Sequence, residues 1–285
     1  MTSITDRVLL LGLPATGKST FLAALWHIVQ TRQLPGSLEI DRLDGDREYI
    51  EMLRTNWLAC KAVPRTRRGS YQRVTVRLKR RGLGDVTTLV FPDLAGELFN
   101  TQWEERRWEP DYADLTGGMS GLLVFLNAKD KHMPALIADF QDTLRQFDDD
   151  DEDQEEYDPS KAAPQVKIVD LLQFHAVHAR LPRPARVAVI ISAWDVVEAT
   201  PSWEDLTPEE FLANHVPLLD QYLRANPETY VYRVYGVSAQ GGDVERDRER
   251  LQAAMVEAER IRVVHAGKQS HDITEPLKWL VYGSN

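Results

Sequence analysis

The sequence has a single cysteine, Cys60, so no disulfide bond can form within the chain. It also lacks long hydrophobic runs, and none approaches the roughly 18 apolar residues that a membrane-spanning helix needs. No signal-peptide pattern is present. These absences predict a protein that does not span a membrane, is not exported and works in a reducing cytoplasm.

Basic residues are fewer than acidic ones, but the acidic excess is confined to one segment. Positions 148–158 carry nine acidic residues and no basic one, and without them the 44 acidic residues of the chain fall to 35, against 34 basic ones. This composition predicts a solvated, disordered loop. The segment also lacks the glycine and the ligand spacing of an EF-hand calcium loop.

A basic stretch occupies residues 61–81, with nine Lys or Arg and no acidic residue. Such a stretch can bind nucleic acid or an anionic surface. Here, however, the apolar residues Val74, Val76 and Leu78 alternate with polar ones, which is typical of a strand with one solvated face. We therefore expect a strand and do not expect nucleic acid as a partner.

The segment 8–20 reads VLLLGLPATGKST and combines an apolar run, a glycine-containing loop and the start of a helix. Positions 12–19 match G-x-x-x-x-G-K-S, a loop whose backbone N–H groups and helix dipole form a nest for nucleotide phosphates. Glycines permit the close approach of the backbone. The residues of this loop that we expect to contact the nucleotide are Gly12, Pro14, Ala15, Thr16, Gly17, Lys18, Ser19 and Thr20.

Lys18 and Ser19 have the most specific expected roles in this loop. The Lys18 ammonium would reach the β- and γ-phosphates and neutralise charge that develops during phosphoryl transfer. The Ser19 hydroxyl would bind Mg²⁺. The sequence therefore predicts a site for a nucleotide together with Mg²⁺.

Three further motifs follow strand patterns. Runs 71–79 and 87–91 predict an antiparallel hairpin, and the second leads into PDLAGE at 92–97, which contains D-x-x-G. Two later strand patterns lead into SAWD at 192–195 and SAQ at 238–240. The carboxylate in SAWD can accept hydrogen bonds from guanine N1–H and N2–H₂, whereas adenine offers no such pair of donors.

In this order, the four motifs resemble those of P-loop GTPases of the Ras-like, translation-factor-related class. The resemblance implies that Asp93 holds Mg²⁺ through a water and that the N–H of Gly96 senses the γ-phosphate. It also implies that guanine is recognised by Asp195 and by the loop residues Ser238, Ala239 and Gln240.

The chain departs from the pattern of this class at three positions. Ser192 replaces an Asn that normally braces the P-loop, Ala193 replaces a Lys that covers the base, and Gln240 replaces a Lys or Leu. Trp194 is open to two interpretations, packing near the base or a place in the core, and the core is the one that we favour.

Two switch regions follow from the resemblance. Thr66, which follows a predicted helical insertion, is the candidate in the first switch to bind Mg²⁺ and assist catalysis. A Thr in this place resembles bacterial members of the double-GTPase family. That resemblance covers most of the chain. Nearby arginines could supply an arginine finger, although ordinary loop charge is the favoured interpretation.

Glu97 replaces a water-positioning Gln, and it either orients the attacking water or faces solvent. Residues 97–118 would form the second switch, whose aromatic residues would make a partner surface if exposed.

His175 and His178 lie three residues apart on a predicted helix, a spacing that can bind a metal ion. Because no Cys or acidic partner lies nearby in the sequence, an ordinary helix face is the interpretation that we favour.

These patterns predict one elaborated α/β domain over residues 1–285: a Ras-like P-loop fold with a mixed six-stranded sheet, one antiparallel edge hairpin and flanking helices. Expected helices include 19–32, 47–61, 166–180, 207–224 and 246–258. The predicted function is a GTP-binding and GTP-hydrolysing switch that uses GTP/GDP and Mg²⁺ and controls an unknown protein partner, by analogy in a bacterial conflict or defence system. The alternatives are a P-loop kinase and a non-hydrolysing nucleotide-binding scaffold.

Overall fold

The computed structural model describes residues 6–63, 72–80, 86–93, 102–107, 112, 116, 119–129, 162–179 and 182–283. Several predicted features lie outside these residues: Thr66, Gly96, Glu97 and the acidic segment 148–158. Asp93 is described as the last residue of its strand.

The described residues form a sheet of nine strands in the order β2-β3-β4-β1-β5-β6-β7-β8-β9. The strands are β1 (Asp6–Leu11), β2 (Glu39–Gly45), β3 (Gln72–Lys79), β4 (Val86–Asp93), β5 (Gly121–Asn127), β6 (Ala185–Ser192), β7 (Tyr230–Ser238), β8 (Arg262–His265) and β9 (Lys268–Ser270). The five strands from β4 to β7 in this order pair in parallel, and antiparallel pairs flank them on both sides. The mixed α/β class therefore agrees with the prediction.

The prediction of a six-stranded sheet was wrong, because the sheet has nine strands. A short strand was expected over 261–264 and corresponds to β8, whereas β2 at one edge and β9 at the other were not predicted. β2 reads EIDRLDG, and its ladder with β3 carries cross-strand ion pairs, Lys79 with Asp41 and Arg77 with Asp44. An edge strand with one solvated side need not show an apolar pattern. β9 is only three residues long, too short for a clear periodicity.

Helices cover both faces of the sheet. They are α1 (Lys18–Thr31), α2 (Arg47–Leu58), α3 (Pro164–His178), α4 (Trp194–Glu198), α5 (Pro208–His215), α6 (Pro217–Ala225), α7 (Arg248–Gln252) and α8 (Glu275–Tyr282), with a 3₁₀ turn at Glu257–Arg260. None of the helices in the described part of the chain has the length and apolar character needed to cross a bilayer.

Two predicted helices differ from the structure. The helix expected over 207–224 is divided into α5 and α6, because Pro217 has no N–H and its ring conflicts with a preceding helical turn. Its start is a capping box, in which Glu210 N donates to Thr207 Oγ1 and Thr207 N donates to Glu210 Oε2. The segment 246–258 forms the short α7 and the first part of the 3₁₀ turn instead of one helix.

The core has two halves separated by the sheet. Val8 and Leu10 of β1 pack into the half that contains α1, α2 and α8, whereas Leu9 and Leu11 pack into the half that contains α3, α5 and α6. This alternation follows from the twofold period of a strand. The carboxyl ends of β1, β5, β6 and β7 lie at one edge, where open α/β sheets bind their ligands.

Candidate nucleotide-binding site

The P-loop connects β1 to α1, and its two glycines are required by close contacts. Gly17 has φ of +86°, and a Cβ there would lie 2.9 Å from both the Cβ and the Oγ of Ser192. Gly12 has φ of +157°, and a Cβ there would lie 2.8 Å from Thr16 Oγ1. The loop is therefore packed directly against the end of β6, with no space for side chains at these positions.

The start of α1 fits an anionic ligand. Its N-cap is Gly17, no side chain caps the helix, and its first turn has no acidic residue. The first N–H groups of a helix lack intrahelical partners, and the helix dipole places partial positive charge there. A phosphate can accept hydrogen bonds from these N–H groups, and its negative charge is stabilised by the helix dipole. The geometry of the loop therefore fits the predicted phosphate nest.

Lys18 lies across its own loop. Its ammonium donates hydrogen bonds to Gly12 O at 2.6 Å and to Leu13 O at 2.7 Å, and Nζ lies 3.3 Å from Thr16 Oγ1. An ammonium has three N–H donors. Contact with a phosphate therefore requires Lys18 to exchange at least one of these contacts for a phosphate oxygen.

Asn127 braces the P-loop, a role that sequence reasoning missed. Its Nδ2 donates to Ala15 O at 2.8 Å, and its Oδ1 accepts from Lys129 N at 2.9 Å. Ala15 has a left-handed φ of +59°, which is unfavourable for a residue with a Cβ. Asn127 therefore helps to hold a strained residue of the loop, and the one sequence signal was an Asn that ends a buried apolar strand.

Ser192 occupies the position of the expected bracing Asn but acts differently. Its Oγ is buried without a hydrogen-bond partner among the described residues, and it lies against Gly17. Ser192 pairs in register with Asn127 on β5 and with Val237 on β7. The side chain that hydrogen-bonds to the P-loop is therefore Asn127 at the end of β5, instead of the residue expected at the end of β6.

Asp195 and Ser238 form the other end of the candidate site. Ser238 Oγ donates to Asp195 Oδ1 at 2.5 Å and accepts from Gly241 N at 3.1 Å. The hydroxyl has one proton, so these two bonds fix its direction and orient the carboxylate. An ionised carboxylate has about four acceptor positions, so Asp195 can still accept from a base.

The residues beside Asp195 and Ser238 contact the protein core. Trp194 is buried, and a Cβ at Gly236 would lie 2.3 Å from its ring, which identifies a core role. Ala193, which precedes it, is the N-cap of α4 with a left-handed φ of +55°. In the neighbouring loop, Ala239 O accepts from Trp57 Nε1, and Gln240 Nε2 donates to Trp57 O.

The described part of the predicted second switch is docked on α3. Tyr112 is fully buried, and its hydroxyl lies 2.7 Å from Nε2 of His175. His175 Nδ1 lies 2.7 Å from Leu171 O, which can only accept, so Nδ1 carries the proton and Nε2 accepts from the tyrosine. Burial lowers the pKa of His175 to about 4, which keeps the ring neutral. Trp103 is also buried, so these two aromatic residues do not form an exposed partner surface.

Within the described ranges, no group of three or more His, Cys, Asp or Glu is arranged to hold a metal ion. A P-loop Mg²⁺ is instead held by a hydroxyl, phosphate oxygens and few carboxylates. Ser19 lies in the first turn of α1 beside Lys18, and its hydroxyl fits that donor set.

The central parallel strands of the sheet, with a glycine loop that leads from β1 into α1, have the architecture of a P-loop nucleotide-binding protein. The sequence model of the family described as Double-GTPase 1 matches residues 9–280, nearly the whole chain, and the chain belongs to this family. A comparison with curated proteins found no match. The family assignment confirms the resemblance to the double-GTPase family, and it implies that the bound nucleotide is a guanine nucleotide.

Proposed function

We propose that this protein is a molecular switch that binds GTP and GDP with Mg²⁺, hydrolyses GTP and controls a protein partner through its nucleotide state. The contact between Gly17 and Ser192 carries this proposal, because it joins the phosphate loop to the strand end that leads into Asp195. Phosphate-binding and base-binding groups then share one edge of the sheet. Partner control, a role in bacterial defence and a cytoplasmic location are parts of the proposal supported by the resemblance and the sequence alone.

The roles of individual residues follow from this arrangement. Loop N–H groups and Lys18 bind the β- and γ-phosphates, and Asp195 with the loop 238–240 binds guanine. When bound, Mg²⁺ neutralises phosphate charge, and Ser19 would hold it together with Thr66 and Asp93. Glu97 would orient the attacking water or face solvent. Loss of the γ-phosphate would release Thr66 and Gly96 and change the surface offered to a partner.

The first prediction concerns Lys18. Lys18→Ala removes the ammonium that neutralises the phosphates, so we expect GDP binding in isothermal titration calorimetry to be abolished. Lys278→Ala on α8 is a matched control, because Lys278 Nζ also donates to a backbone carbonyl, that of Gly36, and it pairs with Asp272. This control should retain GDP affinity. Unchanged affinity in Lys18→Ala would refute the site assignment.

The reaction is tested by single-turnover release of phosphate from GTP in the presence of Mg²⁺. We expect release above background from the wild-type protein and no release from Lys18→Ala. Absence of release over hours, with GTP bound, would favour the scaffold alternative. Transfer of phosphate from ATP to a small acceptor would favour the kinase alternative.

A further inference from the structure

Trp57, near the carboxyl end of α2, is joined to the loop that follows β7 by two hydrogen bonds. Its indole Nε1–H donates to Ala239 O at 2.8 Å, across 182 positions in the sequence. Its own backbone carbonyl accepts from Gln240 Nε2 at 3.3 Å. The loop assigned to guanine recognition is therefore held by a residue that none of the sequence motifs contains.

The indole is itself held firmly. Trp57 is fully buried, and the guanidinium of Arg260 lies 4.2 Å from the centre of its ring. The ring of His27, on the P-loop helix α1, lies 5.2 Å away between ring centres. A large, fully buried side chain in contact with both groups has little rotamer freedom, so its N–H has a fixed direction.

The hydrogen bond to Ala239 O constrains a peptide plane. The carbonyl of Ala239 and the N–H of Gln240 belong to the same peptide unit, and in a trans peptide they point in opposite directions. When the indole fixes the direction of the carbonyl, it also fixes the direction of the N–H. Trp57 thus sets the conformation of the backbone that would present N–H groups to guanine O6.

The orientation of this loop matters because few of the motif side chains are available to contact the base. Ala193 has no side chain that could cover the base, and Gln240 uses its amide to bind Trp57 O. Guanine recognition then depends on Asp195 and on the backbone of the loop. Asp195 is oriented by Ser238, so the remaining part that needs orientation is the peptide between Ala239 and Gln240.

We propose that Trp57 is a positioning residue for guanine recognition: its indole N–H orients the loop 238–240 so that a backbone N–H meets guanine O6. This inference rests on the proposed function, since it assumes that guanine binds between Asp195 and this loop. It adds to that function a structural link between α2 and the base-binding loop. In the sequence, α2 leads toward the predicted first switch.

The experiment uses Trp57→Phe, which keeps an aromatic ring but removes the N–H donor. Binding of GDP and of 6-thio-GDP, whose sulfur accepts hydrogen bonds weakly, is measured by calorimetry with Mg²⁺ for the wild type and the variant. We expect GDP to weaken by about fivefold, the value of one net hydrogen bond, and 6-thio-GDP to weaken less than twofold. The ratio of affinities for GDP and IDP should not change, because IDP lacks only the amino group that faces Asp195.

Trp26→Phe is the matched control. Trp26 is also a buried tryptophan whose Nε1 donates a hydrogen bond, here to Glu51 Oε1, away from the loop. It should leave the ratio of affinities for GDP and 6-thio-GDP unchanged. If Trp57→Phe does not fold, Gln240→Leu removes the second bond to Trp57 and should also weaken GDP more than 6-thio-GDP.

The possible results separate this inference from the proposed function. Equal weakening of both nucleotides, or unchanged GDP affinity, overturns the positioning role of Trp57 while GDP binding by the wild type still supports the proposed function. A wild-type protein that binds no guanine nucleotide overturns the proposed function and the inference with it.

Discussion

Gly17 shows how one residue without a side chain determines the position of the P-loop. We expect Gly17→Ala to lower the free energy of unfolding by about 2–4 kcal/mol, since a left-handed φ costs an alanine about 1 kcal/mol and overpacking against Ser192 adds about 1–3 kcal/mol. Urea denaturation measures the change. Gly36→Ala is the control for backbone strain, because Gly36 has a similar φ of +83° and nothing within 4 Å of the added Cβ.

The double variant Gly17→Ala with Ser192→Gly separates the two causes. Removing the Ser192 side chain relieves the contact but leaves the backbone strain, so part of the stability should return. Equal losses in Gly17→Ala and Gly36→Ala would contradict the account, because they would assign the whole effect to φ.

The residues of the site differ in how well sequence could predict them. Lys18 and Asp195 belong to motifs with local spacing, and each lies in the first turn of a helix that follows a strand. Asn127 and Trp57 could not be predicted, because their partners are Ala15 and Ala239, far away in the sequence. Such contacts depend on strand order and register, which a local pattern does not determine.

At the scale of elements, patterns gave α1 to within one residue at each end, because its apolar residues recur at helical spacing. They missed β2, whose charged residues are held by ion pairs with β3 and contribute no apolar alternation. They also merged α5 and α6, since the break depends on Pro217. The apolar period that predicts a buried element is absent from β2, whereas the break between α5 and α6 was missed although Pro217 is a local signal for it.

The burial of His175 on α3 makes stability depend on pH. The pKa of His175 falls from 6.5 to about 4 in the folded protein, so the unfolded chain binds more protons between these values. The neutral ring therefore contributes stability that is present above pH 6.5 and is lost as pH falls toward 4, by about 3 kcal/mol in total. Denaturant titrations from pH 7 to pH 4 measure this slope.

His175→Gln tests the source of the slope. Glutamine does not titrate, so the part of the pH dependence between pH 6.5 and 4 that comes from His175 should disappear, whatever the variant does to stability at pH 7. His178→Gln on the exposed side of the same helix is the matched control and should keep the wild-type slope. An unchanged slope in His175→Gln would assign the acid sensitivity to other groups.

At the scale of the whole molecule, the sheet links both halves of the core. Alternate residues of β1 and β5 pack into opposite halves of the core. A loss of packing in one half would therefore expose residues of strands that also support the other half. The order of the strands also places the carboxyl ends of β1, β5, β6 and β7 together. The chain therefore combines stability and ligand binding in the same central strands.

This shared sheet predicts that residues 1–285 unfold as one cooperative unit, as the single-domain prediction requires. Leu25→Ala on α1 and Leu172→Ala on α3 remove fully buried side chains on opposite faces. Each should lower the free energy of unfolding by about 2–5 kcal/mol and shift one common transition. Circular dichroism and tryptophan fluorescence during urea unfolding without nucleotide should report the same midpoint in each variant. Two transitions, with each variant moving a different one, would show instead that the halves unfold independently and that the chain contains two domains.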